Sequence, residues 1–377
     1  MDNRERVIAT LTFQKPDRIP LEPGRGRKST RETWRAQGLP AEVKDADIHE
    51  YAYWKAGGKF PWPRGGPGIR MVDRMIPEFE EKVIERKGTS QIVQDWKGNV
   101  CEIGSEFTLE HLRSAIDFVT RRWIKCPVET RADWADMKRR YNPDDPARFS
   151  ADIPGLKWKL AGRDGFVSVS LSGPFWQLRE WLGFERLCEM FLDGPDFVRE
   201  MLAFWSDFGA KLLENTFRDA VPDMLHISED MAYKGFPMIS PAMSREFLLP
   251  VWRRWGDICR KAGVPLYAVD SDGYTADLIS IWIDAGINVC DPMEVAAGID
   301  LPALRKRFGR NMAFRGGVDK RAMAKGGDAI VTEILRLSPV IRDGGYIPGC
   351  DHGVPPDVSW PDFVRYTGLL AKETGWL

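Results

Sequence analysis

Phe166-Val167-Ser168-Val169-Ser170-Leu171, followed at once by Ser172-Gly173-Pro174, is the stretch on which the fold turns. A short run rich in β-branched and apolar residues reads as a strand, and the Gly-Pro pair stops it. A helical stretch through Trp181, Leu187 and Phe191 follows. The same unit then recurs. Met224–Ile227 precedes helices around 241–262, and Pro265–Val269 precedes a helix through Leu278, Ile281 and Ile283. Ile287–Cys290 precedes a helix near 300–308, Met312–Arg315 one across 320–337, and Gly345–Pro348 one at about 361–374. Strands alternating with helices of this length predict parallel βα units. An open doubly wound sheet is the competing architecture, but no GxGxxG follows an early strand, and the number of units favours closure. The expected fold is an α/β (β/α)8 TIM barrel.

Upstream the pattern is less regular. Residues 2–14 have helical spacing, with Val7, Leu11 and Phe13 among charges, and Pro16 ends the run. Arg18–Glu22 reads as a short strand before the turn-rich Pro23-Gly24-Arg25-Gly26-Arg27. Residues 29–65 give no assignable pattern, whereas 66–104, including Ser90–Trp96, suggest hairpin strands. The expectation is a single barrel domain over 1–377, with 1–150 as its lead-in and a lid-like elaboration, and 165–375 as the regular units.

Hydrophobic residues make up 43% and charged residues 29% of the chain, which suits a globular protein with a sizeable core. The formal net charge of −1 gives no electrostatic reason to expect nucleic acid or an anionic membrane as partner. Six scattered cysteines without a CxxC pair fit a reducing compartment. No apolar h-region stands in MDNRERVIATLTFQKPDRIP, and no uninterrupted apolar stretch reaches about 18 residues, so a cytoplasmic protein is expected. The fifteen tryptophans imply either amphipathic helix packing or an aromatic-lined cleft or interface.

In a barrel the chemistry lies where strands end and βα loops begin. Here those positions carry Glu229-Asp230, Asp270-Ser271-Asp272, Asp291, Asp319 and Asp351-His352. Each Asp alone is equally a helix cap. Together they would converge on one mouth, where repulsion calls for a metal, a cationic substrate, protonation or a nearby Arg. His352, one of four histidines, suits general acid–base work or metal ligation. In an extended chain Asp270 and Asp272 point to one side, as shared oxygen ligands of a cation would. His226 reads as core or a supporting residue, and Cys350 as a buried small hydrophobe. Arg25 and Arg27 form either a solvated basic loop or a fork for substrate carboxylates.

GPFWQLREWLGFE (173–185), SEDMAYKG (228–235), ISPAMSREFLLPVW (239–252), DSDGYTADLI (270–279), FRGGVDKRAM (314–323) and GGYIPGCDHGVPPDVSW (344–360) resemble the uroporphyrinogen decarboxylase superfamily. The resemblance covers roughly 165–375 and implies a (β/α)8 barrel, usually dimeric. It implies one of two activities: cofactor-free decarboxylation of a tetrapyrrole, or methyl transfer to or from corrinoid proteins or thiols, often with zinc. The decarboxylases' N-terminal arginine pair is altered here to PGRGRKSTR, and their active-site Tyr is replaced near Gln177–Glu180, while His352-Gly353 resembles their late His-Gly. The thiol-activating methyltransferases' HxC reads Asp270-Ser271-Asp272 here, and their later Cys reads His352, before Gly353-Val354-Pro355-Pro356. The resemblance therefore implies a harder O/N site for zinc or another divalent ion.

The expected function is methyl transfer between a small methylated or methoxylated substrate and a corrinoid or similar carrier. Metal would sit on Asp270, Asp272 and His352. His352, Asp272 and Glu229 would be catalytic, and Arg25, Arg27, Asp319 and Tyr346 would bind substrate. The alternatives are decarboxylation of a uroporphyrinogen-like tetrapyrrole without cofactor, and a non-catalytic ligand-binding barrel. Expected partners are a small-molecule substrate, a corrinoid protein and a second copy of the chain.

Overall fold

A computed structural model describes residues 1–377 apart from 115 and 118. The chain opens on a helix over Asn3–Leu11, started by a capping box in which Asp2 accepts from the Glu5 N–H and Glu5 answers to the Asp2 N–H. Two short helices follow at Lys28–Ala36 and Ile48–Lys55. Next comes an antiparallel sheet of four strands in sequence order: β1 (Lys82–Lys87), β2 (Ser90–Gln94), β3 (Val100–Gly104) and β4 (Arg121–Lys125).

The second sheet has six parallel strands, each paired with its sequence neighbours: β5 (Ser168–Ser172), β6 (Met224–Ser228), β7 (Leu266–Asp270), β8 (Val289–Asp291), β9 (Ala313–Val318) and β10 (Tyr346–Cys350). Side chains alternate across it. Leu225, Ile227, Tyr267, Val269, Cys290, Phe314 and Tyr346 join the main core on the helix side. Met224, Leu266, Ala268, Val289, Ala313 and Ile347 instead meet one another, with Val7 and Leu11 of the first helix, in a separate cluster. Residues of five strands can share one small cluster only if the sheet curls around them, so the strands enclose an interior that the first helix plugs from below.

The expected eight-strand barrel is realised only in part. Among the described residues no ladder closes the sheet, and extended segments lie along its two free edges. On one side the Glu22 carbonyl lies so near Gly349 that a Cβ there would stand 2.4 Å from it, and a single bridge joins Gly26 to Val354. On the other the Gly66 N–H donates to the Phe166 carbonyl at 3.0 Å. Both segments are unsuited to a ladder. Pro16, Pro20 and Pro23 interrupt the first, and Pro61, Pro63, Gly65, Gly66, Pro67 and Gly68 crowd the second. Proline lacks the donor and glycine costs entropy in a strand. The helix expected across 320–337 is two, Lys320–Lys325 and Gly327–Asp343, because Gly326 and Gly327 both take positive φ. No helix among the described residues is long and apolar enough to cross a membrane.

Candidate active site

Register brings the acidic strand ends together. Ser172, Ser228, Asp270 and Asp291 lie opposite one another across β5 to β8, one step above the row that holds Ser170, His226, Ala268 and Val289. His226, Asp270, Asp291 and Arg315 occupy the inward-facing parity of their strands. His226 Nε2 lies 3.3 Å from Asp291 Oδ1. Arg315 donates to Asp291 Oδ2 at 3.2 Å and to Glu22 Oε2 at 2.7 Å. Asp270 accepts no side-chain hydrogen bond among the described residues. One ligand atom each from His226, Asp270 and Asp291 falls within 4.8 Å of the others.

The electrostatics follow from this arrangement. Burial, then the Asp291 charge, pushes Asp270 up to about 7. Burial also acts against ionised Asp291, but His226 and Arg315 outweigh it and hold the carboxyl below the usual range. For His226 burial works against the charged ring, and the carboxylates of Asp291 and Asp270 raise it overall. Arg315 is raised by Glu22 first and by Asp291 as well, against its burial. With Asp270 ionised, three carboxylates face one guanidinium and one imidazole.

At the rim a second constellation forms. His352 Nε2 is 2.9 Å from Asp272 Oδ2, and Arg27 Nη2 is 3.1 Å from His352 Nδ1. A neutral ring protonated on Nε2 satisfies both contacts, since Arg27 can only donate. The Asp272 hydrogen bond raises the His352 imidazole above its ordinary value, opposed by burial and by Arg27. Gly353 permits the contact, because a Cβ there would lie 3.0 Å from Arg27 Nε.

Asp270, Asp272 and His352 therefore do not form one donor set. β7 ends at Asp270, the chain turns through Gly273 at φ +86°, and Asp272 leaves the strand alternation that would have kept it beside Asp270. Among the described residues the three-donor group contains Asp270 with His226 and Asp291 instead.

Other expected site residues lie elsewhere. Glu229 is fully buried, accepting from the Phe175 and Trp176 N–H groups at 3.0 and 3.2 Å and from the Trp252 indole. Burial pushes it up to about 8, against those three donors. Its carboxyl ties the end of β6 to the first turn of the helix Pro174–Leu182 and, with no exposed surface, is out of reach of a substrate. Asp319 caps the helix 320–325 through the Arg321 N–H and grips the Arg321 guanidinium. Tyr346 faces the helices, with no ring surface exposed, and donates to the Gly316 carbonyl at 2.6 Å. Arg25 is exposed on the edge of an interior cavity of about 710 Å³ whose wall includes Glu22, Asp291 and Arg315. Cys350, in the same wall, has its thiol pushed up to about 12 by burial, which leaves it inert.

A second cavity of about 240 Å³ lies at the carboxyl ends of β5 and β6. Ser170, Ser172 and Ser228 form its strand side, and Trp96, Tyr141 and Trp176 are among its walls. Trp96 comes from the turn between β2 and β3, so the antiparallel sheet reaches over this part of the mouth. Fully buried Arg148 holds the neighbouring segment by donating to the carbonyls of Val72 and Arg74 at 2.9 and 2.6 Å. The sequence reading missed His226, Asp291 and Arg315 as one cluster, and Arg148 altogether; it offered an aromatic-lined cleft as one meaning of the tryptophans without naming the walls.

A curled parallel sheet with ionisable groups gathered at its carboxyl ends defines a barrel-type enzyme scaffold. The chain belongs to the uroporphyrinogen decarboxylase (URO-D) family, whose model matches residues 108–364. Its structure is similar to a methyltransferase from Methanosarcina mazei, with a TM-score of 0.60 and 13% identity, covering 100% of this chain and 98% of that one. A B12-independent methionine synthase from Shewanella sp. W3-18-1, in complex with selenomethionine, aligns at a TM-score of 0.40 and 9% identity, over 60% of this chain and 66% of that one. No curated protein matches the sequence. At such identities the structural likeness concerns the fold alone.

Proposed function

We propose that this chain is a methyltransferase that moves a methyl group between a small methylated or methoxylated substrate and a corrinoid or similar nucleophilic carrier. The observation that carries the reading is the group His226, Asp270 and Asp291, three nitrogen and oxygen donors within 4.8 Å of one another. Asp270 is the telling member, because it stands half-buried beside Asp291 and its side chain lacks a hydrogen-bond partner among the described residues. A divalent cation fits this donor set and offsets its surplus negative charge. When bound, such an ion supplies Lewis acidity to the heteroatom that carries the methyl group. The methyl carbon bonds to the carrier's nucleophilic atom, and the heteroatom keeps the bonding pair. His352, oriented by Asp272 and Arg27, then holds a proton at the rim for that heteroatom.

A cofactor-free decarboxylation draws support from Arg25 and Arg27, two guanidiniums beside the mouth that suit substrate carboxylates. The interior counts against it, since Glu22, Asp270 and Asp291 outnumber Arg315 and would repel a polycarboxylate.

Metal analysis after dialysis against zinc tests the reading. About one equivalent should remain in the wild type and in Asp272→Ala, and be lost in His226→Ala and Asp270→Asn. Loss in Asp272→Ala with retention in His226→Ala would move the ion to Asp270, Asp272 and His352. No retained ion in any protein would remove the metal-assisted reading and favour decarboxylation.

A further inference from the structure

We propose that the 240 Å³ cavity above β5 and β6 is the seat of the substrate, and that it takes a single planar aromatic ring bearing an anionic group, of the methoxybenzoate class. This rests on the methyl-transfer reading and names the substrate class for that same site.

Size comes first. A cavity of about 150 Å³ admits benzene, so 240 Å³ holds one ring with two or three small substituents and excludes a tetrapyrrole. The chemistry of the walls comes second. Trp96, Tyr141, Trp176 and Trp181 line the space, and aromatic walls favour a flat, polarisable guest over an aliphatic one. The Tyr141 hydroxyl already accepts from the Trp181 indole at 3.1 Å, so these two side chains offer the guest mainly ring surface.

Charge comes third. Two cations and two carboxylates, Asp73 and Glu180, border the cavity; Asp73 accepts the Ser172 N–H at 2.7 Å, and the cations differ. Lys97 is paired with buried Glu180. Arg74 stacks on Trp96 at 4.7 Å and has no carboxylate partner among the described residues. Arg148 fixes its backbone carbonyl, and the stacking on Trp96 keeps the guanidinium at the cavity wall, where it can fork an incoming carboxylate or phenolate.

Position completes the argument. Ser170 is the register partner of His226, and Ser228 that of Asp270. Adjacent strands stand about 4.8 Å apart. A ring against the serines therefore brings a ring substituent to the edge of the His226–Asp270–Asp291 group, while its anionic end faces Arg74.

Calorimetric titration of chelator-treated protein with 3-methoxybenzoate is the test, with methoxybenzene and cyclohexanecarboxylate as the neutral and non-planar comparisons. One equivalent of 3-methoxybenzoate should bind, and cyclohexanecarboxylate at least tenfold more weakly. Arg74→Gln, an exposed and therefore fold-neutral change, should weaken 3-methoxybenzoate at least tenfold and leave methoxybenzene unchanged. Trp176→Ala should weaken both aromatic probes. Absence of binding to the wild type, equal affinity for the cyclohexane acid, or an unaltered Arg74→Gln would each overturn the proposal. Because the titration is run without metal, its failure is separate from failure of the metal reading. That reading falls only if no ion is retained.

Discussion

Replacing Glu229 by Gln tests whether this residue holds the fold together or takes part in the chemistry. Its carboxyl accepts the Phe175 and Trp176 N–H groups on Oε2 and the Trp252 indole N–H on Oε1, with no surface exposed. All three neighbours are donors. A glutamine carbonyl can keep the two backbone donors, but its NH2 then faces the indole N–H, and both donors are left without an acceptor. Each buried unsatisfied group costs about 1–3 kcal/mol, so the variant should lose about 2–6 kcal/mol. The variant has no room to turn away, because Gly173 packs so close that a Cβ there would stand 2.1 Å from the carboxyl carbon. At a slope of about 3 kcal/mol per M, a 3 kcal/mol loss lowers the urea midpoint by about 1 M. Tryptophan fluorescence reads this directly, since Trp176 and Trp252 flank the group. Glu229→Ala, which orphans all three donors and opens a cavity, should fall further. A Glu229→Gln midpoint equal to wild type would refute the reasoning and restore Glu229 as a proton-transfer candidate.

Three other outcomes are expected. The Asp272 hydrogen bond raises His352 above its ordinary 6.5, with burial and Arg27 opposing; the pair therefore stabilises the fold in full below about pH 6.5 and loses that contribution as pH rises through the raised folded-state value. Asp272→Asn should remove this slope and lower the imidazole titration followed by NMR, whereas an unmoved titration would break the link between the two residues. Gly349→Ala puts a Cβ 2.4 Å from the Glu22 carbonyl, so the 18–26 segment must shift; a loss of about 1–3 kcal/mol in urea unfolding is expected, and a neutral result would show that the segment is not held against β10. Arg148→Met strips several buried backbone carbonyls of their donor, so it should destabilise the fold by about 3–5 kcal/mol and weaken ring binding; undiminished binding of 3-methoxybenzoate would separate Arg148 from the cavity.

Much of the parallel sheet was legible because its strands are short apolar runs closed by turn residues. Ser168–Ser172 before Gly173-Pro174 and Leu266–Asp270 before Gly273 are examples. The edges of the sheet were not. The resemblance and the unit count argued for eight strands, but proline and glycine at 16–26 and 61–68 deny those segments a ladder, and they pack as extended chain. β1 was hard to read for another reason. Lys82–Lys87 is exposed along its whole length, so no burial pattern marks its face. Its pairing with β2 comes from the hairpin through Gly88, which takes positive φ.

The site was legible residue by residue but not as an assembly. Asp270, Asp272 and His352 all stand at the mouth, yet which carboxylate meets which imidazole depends on where β7 stops, and DxD spacing does not tell. Parity within the strands was the signal available. In Met224-Leu225-His226-Ile227 and Ala313-Phe314-Arg315 the apolar residues at Leu225, Ile227 and Phe314 face the helices, so His226 and Arg315 must face the interior. A guanidinium inside a parallel sheet needs carboxylates, and Arg315 takes Asp291 and Glu22. The imidazole of His226 takes the other oxygen of Asp291. Once those pairs are drawn, Asp270 remains beside Asp291 with no donor of its own among the described residues, and burial raises the cost of its charge. A group left in that state either keeps its proton or waits for a cation. The His226 nitrogen and the Asp291 carboxylate beside it are the other two donors that the proposed cation would take.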